Sequence, residues 1–256
     1  MARLKSVDFD ERLTLVEHLD ELRSRLIVSA AVLVAAVILC FWQNHLLLEI
    51  ANGPLPGDFE PVTFSPGEPF ITTLTIAVYG ALLISLPVIL FQLYSFVLPA
   101  LTPREKRVIV PLLLLVPFLF VGGVVFSYFV VAPAALDFLL NFNADEFNIQ
   151  IRARDYYPFL ALGLISVGVL FQIPVVVLAV TKLGIVTPRQ LAKNRKYAIL
   201  IIALLAMLLP GTDPITMLIA MVPLIVLFEL SIILARVFGG RPLRGPVESD
   251  PAAGRG

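Results

Sequence analysis

The chain has 256 residues, of which 59% are apolar and only 15% charged, with mean hydropathy +0.93 and no net charge. A soluble domain carries roughly 45–50% apolar and about 25% charged residues, so one water-soluble core is excluded and the surplus apolar surface belongs in lipid. One cysteine (Cys40) and two histidines (His18, His45) give neither a disulfide framework nor a metal-ligating cluster, so neither cofactor nor metal is expected.

The segment Glu11 to Leu26 reads as an amphipathic helix, because Leu15, Leu19, Leu22 and Leu26 recur at three- and four-residue spacing. Glu17, Glu21 and Arg25 lie on a common face at i, i+4 spacing, where helix ion pairs form. No basic stub runs straight into a short apolar core with a cleavage site, so the first apolar run is expected to remain as a span. Residues 1–25 are set apart as an amphipathic N-terminal segment and 26–238 as the membrane domain. Residues 239–256, rich in Gly, Pro and charge, are expected to be a disordered tail.

Six apolar runs follow one another: Leu26 to Trp42, Ile71 to Leu98, Val108 to Val131, Tyr156 to Val180, Tyr197 to Leu209 and Ile215 to Val237. The first four can cross ~30 Å of hydrocarbon at ~1.5 Å per residue, and without strand alternation only helices satisfy their backbone groups in lipid. The predicted fold is all-α: a polytopic membrane protein of six transmembrane helices, forming a concave bundle shaped by Pro87, Pro111, Pro117, Pro174 and Pro223, with short fifth and sixth helices. The fifth run spans roughly 20 Å before Pro210-Gly211-Thr212-Asp213-Pro214 turns the chain. Its hairpin tip is expected to stop short of the far surface, where water or a thinned bilayer reaches Asp213.

Of the 19 basic residues only Arg152 and Arg154 fall on one side of this arrangement. The positive-inside rule therefore puts both termini in the cytoplasm of a cell membrane. On the outer side, Pro54, Pro56, Pro61, Pro66 and Pro69 stiffen the loop from Asn52 to Phe70 into an irregular cap. On the inner side, Thr102, Pro103 and Glu105 form a capping-box pattern, so Glu105 has two compatible readings, as a helix cap and as a ligand for a cation.

Gln172 falls near mid-membrane by its ten-residue distance from Lys182. Glu229, seven residues before Arg236, lies roughly 10 Å deep. A carboxylate at that depth is a functional candidate, the other reading being one that snorkels or stays protonated between helices. No phosphate-cradling glycine loop and no nucleophile–base pair occur, so the chain is not expected to be an enzyme. Nothing points to nucleic acid. A proton-coupled small-molecule secondary transporter is the alternative function, although no inverted repeat is visible.

Several stretches together resemble the TatC family of the twin-arginine (Tat) protein translocase. They are His18-Leu-Asp-Glu-Leu-Arg-Ser-Arg-Leu26, Ser65-Pro-Gly-Glu-Pro-Phe70, Pro87 through Leu101 followed by Glu105, and Phe126-Ser-Tyr-Phe129 with Pro133. The resemblance covers about Leu15 to Phe238 and implies a receptor for signal peptides carrying two adjacent arginines. It implies that Glu21 and Glu105 bind the arginine pair, that Phe96 shapes the loop, and that Arg23 belongs to the same site. It also points to Pro54, Gln172, Asp213 and Glu229 for partner contact and translocation. The implied partners are the single-span subunits TatA and TatB, in an oligomeric complex that exports folded proteins on the proton-motive force. Gln172 stands where many relatives have glutamate, so it is expected to act as a neutral hydrogen-bonding group facing TatA or TatB. Thr75 replaces a basic residue common after the outer motif, so the ion pairing there must differ.

Overall fold

A computed structural model describes residues 15–57, 59–96, 103–147, 149–182, 185–209 and 214–237, with side chains omitted at 15–18, 103–112, 182 and 237. Ten α-helices fill these residues: α1 (Leu15–Trp42), α2 (Asn44–Asn52), α3 (Glu68–Phe96), α4 (Pro103–Phe126), α5 (Ala132–Asn141), α6 (Ala153–Leu170), α7 (Ile173–Lys182), α8 (Pro188–Lys193), α9 (Arg195–Ala206) and α10 (Pro214–Val237). The protein is a polytopic all-α membrane protein. Five stretches are long and apolar enough to cross a bilayer: Leu19–Trp42, Glu68–Phe96, Leu113–Asn141, Ala153–Thr181 and Pro214–Arg236. The short fifth span of the six-span plan is α9, whose 12 residues reach only about 18 Å.

The expectation of a short sixth helix needs correction. Helix α10 has 24 residues, about 36 Å, because Pro223 lies inside it without ending it. Asp213, the tail from 239 and the cap residue Thr102 lie outside the described residues. Pro103 begins α4, where its missing N–H is no loss. The N-terminal amphipathic segment and the first span are one helix, continuous through Leu26.

Two prolines change the helices in ways that hydropathy does not reveal. The third span does not end at Val131 but passes through a π-helical turn, Ser127–Val131, into α5. There the Ala132 N–H donates to the Ser127 carbonyl five residues back. This wider turn makes room for the Pro133 ring, which in a regular helix strikes the carbonyl four residues earlier. In the fourth span, Pro174 cannot donate to Leu170, and the helix breaks at Phe171-Gln172 into α6 and α7.

Small residues set the helix spacing. Ala36 and Cys40 of α1 pack on Ala77 and Ala81 of α3 as one buried cluster. At the crossing of α4 and α6, a Cβ on Gly123 would lie 2.9 Å from the Gly168 Cα, so these helices approach backbone to backbone. A second core, built on Phe171, Val177, Ile202, Leu224 and Phe228, joins α7, α9 and α10.

The end of the bundle opposite Arg25 and Arg195 carries the loops. The Val62 N–H donates to the Ile151 carbonyl at 2.8 Å and the Ala153 N–H to the Val62 carbonyl at 2.9 Å, joining the two loops in a single bridge. Three tyrosine hydroxyls finish α2: Tyr128 donates to the Ile50 carbonyl, Tyr156 to the Ala51 carbonyl and Tyr157 to the Asn52 side chain, at 2.7, 2.7 and 3.0 Å. The last carbonyls of a helix have no intrahelical donor, and here α6 and the π-turn supply one.

Candidate functional site

At the basic end, α1 and α3 run antiparallel and present a polar cluster. Glu21 accepts from Arg25 Nε at 3.0 Å and from Nη2 at 2.5 Å, one helical turn apart. Arg25 Nη1 also reaches across to Gln92 Oε1 on α3, at 2.9 Å. Glu21 and Arg25 are half-buried, with side-chain exposures of 23% and 25%. Phe96 follows Gln92 by one turn, so helix geometry sets it on the same face of α3 and beside the Glu21 level of α1. Its ring is also half-buried.

Glu105 lies in the first turn of α4, at this same end, and its side chain is outside the described set. Arg23 is exposed and, two residues from both Glu21 and Arg25, sits on the other side of α1. The structure therefore gathers Glu21 and Phe96 and separates Arg23 from them. Gln92 was the residue that sequence reasoning missed. Arg25 was visible through its i, i+4 spacing to Glu21, but a partner 67 positions away leaves no local signal.

Chemically the cluster is a carboxylate plus an amide oxygen arranged around a guanidinium. Charge-assisted N–H···O⁻ bonds are roughly twice as strong as neutral ones, and a lysine ammonium cannot reproduce the forked geometry.

The deeper residues are dispersed. Gln172 is buried at the α6–α7 break, where its Nε2 donates to the Val116 carbonyl of α4 at 3.2 Å and its Oε1 has no partner. It thus faces the bundle interior, toward α4. Glu229 forms an ion pair with Arg195 at 2.8 Å, and the two side chains are 34% and 49% exposed. Pro54 is buried at the opposite end, beside the α2 terminus.

Also at that end, Glu68 is buried and accepts from Arg152 Nε at 2.8 Å, from Arg152 Nη2 at 3.3 Å and from the Phe64 N–H at 3.0 Å. The hydrogen bond that Arg152 donates to Glu68 holds the Arg152 guanidinium above its ordinary pKa. Arg152 also lies over the Phe64 ring. The Thr75 hydroxyl bonds back to the Ile71 carbonyl at 2.8 Å. A cavity of about 80 Å³ between α2, α3 and α6 is lined by Leu47, Ile76, Gly80, Leu83 and Leu164 and offers no polar chemistry beyond its tyrosines. Among the described residues no group of His, Cys, Asp and Glu could hold a metal ion.

Comparison with known proteins points in one direction. Residues 17–223 match the family described as Sec-independent protein translocase protein (TatC). A Sec-independent protein translocase protein TatC of Carboxydothermus hydrogenoformans is 36% identical, over 92% of this chain and 98% of its own. Its namesake in Synechocystis sp. is 36% identical over 83% and 84%. A crystal structure of the twin arginine translocase receptor TatC superposes with a TM-score of 0.72 at 34% identity, covering 88% of this chain and 100% of that one.

Proposed function

This chain belongs to the TatC family of Sec-independent protein translocases, and from that footing we propose that it is the subunit that binds twin-arginine signal peptides. As a translocase component it is a transport protein of the membrane, not a catalyst. The observation that carries the reading is the Glu21 carboxylate, half-buried and already holding a guanidinium, with Gln92 accepting from the same group. An incoming arginine pair would use Glu21 and Glu105, with Phe96 shaping the floor and Arg23 on the adjoining surface of α1.

The basic end is assigned to the cytoplasm, with both termini there, on the skewed distribution of Lys and Arg. TatA and TatB are the proposed partners in an oligomeric complex that moves folded cargo on the proton-motive force. Glu229, exposed in part beside Arg195, offers a polar contact to a single-span helix. Gln172 would act from within the α4–α7 joint, and Pro54 by stiffening the outer cap. Asp213 is retained for translocation on the family resemblance. A small-molecule transporter is disfavoured by the family match and because Gln172 cannot carry a proton.

The test is binding of a twin-arginine signal peptide, and of its twin-lysine version, to the full chain in nanodiscs. The expected result is a clear preference for arginine that Glu21→Gln and Glu105→Gln each abolish while the thermal melt is unchanged. Equal binding of both peptides to folded protein would overturn the reading.

A further inference from the structure

The elbow between α7 and α9 bears charge that the receptor role does not use. From Lys182 to Leu209 the sequence contains Lys182, Arg189, Lys193, Arg195 and Lys196 and no Asp or Glu. In α8, Leu191 and Ala192 pack into the α7–α9–α10 core, so Arg189 and Lys193, at i and i+4, face outward. Thr187 caps this helix with Gln190 in a reciprocal capping box, so its orientation is set by its own sequence.

Glu229 is the carboxylate that reaches this region from α10, and Arg195 occupies it. Arg189 and Lys193 have no side-chain partner among the described residues, and Lys196 has only the Tyr197 ring, 5.1 Å away. Directly along α9 from these cations runs an apolar stripe, Tyr197, Leu200, Ile201 and Leu204, all more than half exposed. Charges above and a bare apolar stripe below match the two halves of a lipid, with Tyr197 at the headgroup level.

We propose that the α8–α9 elbow is a binding site for an anionic phospholipid, its phosphate held by Arg189, Lys193 and Lys196 and its acyl chains lying on the exposed stripe of α9. A zwitterionic lipid brings its own cation into a field that is already positive, so the site discriminates by net charge. The short α9 favours the same occupant: a tightly held lipid covers a helix too short to hold a full bilayer around it.

The experiment is native mass spectrometry of the full chain in detergent, titrated with phosphatidylglycerol or phosphatidylcholine. Wild-type protein should retain phosphatidylglycerol preferentially. The variant R189Q/K193Q/K196Q should lose that preference by roughly tenfold or more, since each surface cation contributes about a fivefold factor. Two controls should keep it: K193R/K196R, and R104Q/K106Q/R107Q, which removes as many charges from another connection at the same end. An undiminished preference in the triple variant would overturn the site. So would an equal loss in the R104Q/K106Q/R107Q control, which would indicate only diffuse charge. Displacement of the lipid by millimolar inorganic phosphate would mean a free-anion site and would overturn the lipid assignment.

Discussion

Gly123 of α4 and Gly168 of α6 meet with no side chain between them. A Cβ at Gly168 would fall 2.8 Å from the Phe120 ring and 3.0 Å from Val124, and one at Gly123 would also strike Phe171. The preceding residue of α4, Gly122, has nothing within 4 Å of its Cβ position.

Gly123→Ala and Gly168→Ala should therefore each destabilise the protein by about 1–3 kcal/mol, through overpacking against backbone and ring atoms. Gly122→Ala should be neutral or stabilising by up to about 1 kcal/mol, because alanine orders the helix at no steric cost. Thermal melts of the three variants in one detergent compare them directly.

Tyr156→Phe should cost roughly 1 kcal/mol, since it strips a donor from the Ala51 carbonyl while preserving the ring's packing. Tyr157→Phe should cost about the same through the Asn52 side chain. Hydrogen exchange should rise in α2 and leave α9 unaffected.

Glu229→Ala should change the melt little, within about 0.2–1 kcal/mol, because its pair with Arg195 is a single contact between partly exposed side chains. If the proposed assembly role holds, co-purification with TatA and TatB should fall far more than stability does. Parallel losses in both would show a structural role alone.

Arg25→Gln removes the guanidinium that Glu21 holds in the unliganded chain. Under the receptor reading, affinity for a twin-arginine peptide should then rise roughly two- to fivefold, the strength of a half-exposed helix ion pair. Weaker binding would mean that Arg25 takes part in recognition instead of competing with it. Fluorescence anisotropy of a labelled signal peptide reads either result.

The spans were legible because apolar length alone decides them in lipid. The Pro133 and Pro174 irregularities were not. A proline inside an apolar run signals a disturbance, but whether it produces a π-turn, as before Ala132, or a break, as at Gln172, depends on neighbouring helices. Glu21 was recognisable through Arg25 four residues on. Arg195 as the partner of Glu229, Gln92 as the partner of Arg25 and Arg152 as the partner of Glu68 are contacts across the fold, and nothing local encodes them. Helix α2 went unread because nine residues after Gln43 look like the start of a loop until three tyrosines close its end.

Those tyrosines also make the molecule mechanically uneven. Pulling α2 away from α6 strips the Tyr156 hydroxyl from the Ala51 carbonyl and the Tyr157 hydroxyl from the Asn52 side chain at the same time. Parting Arg195 from Glu229 at the other end breaks one ion pair between side chains that are both partly exposed. On that difference in contacts, prising α2 from the bundle should cost more than opening the ion pair between α9 and α10.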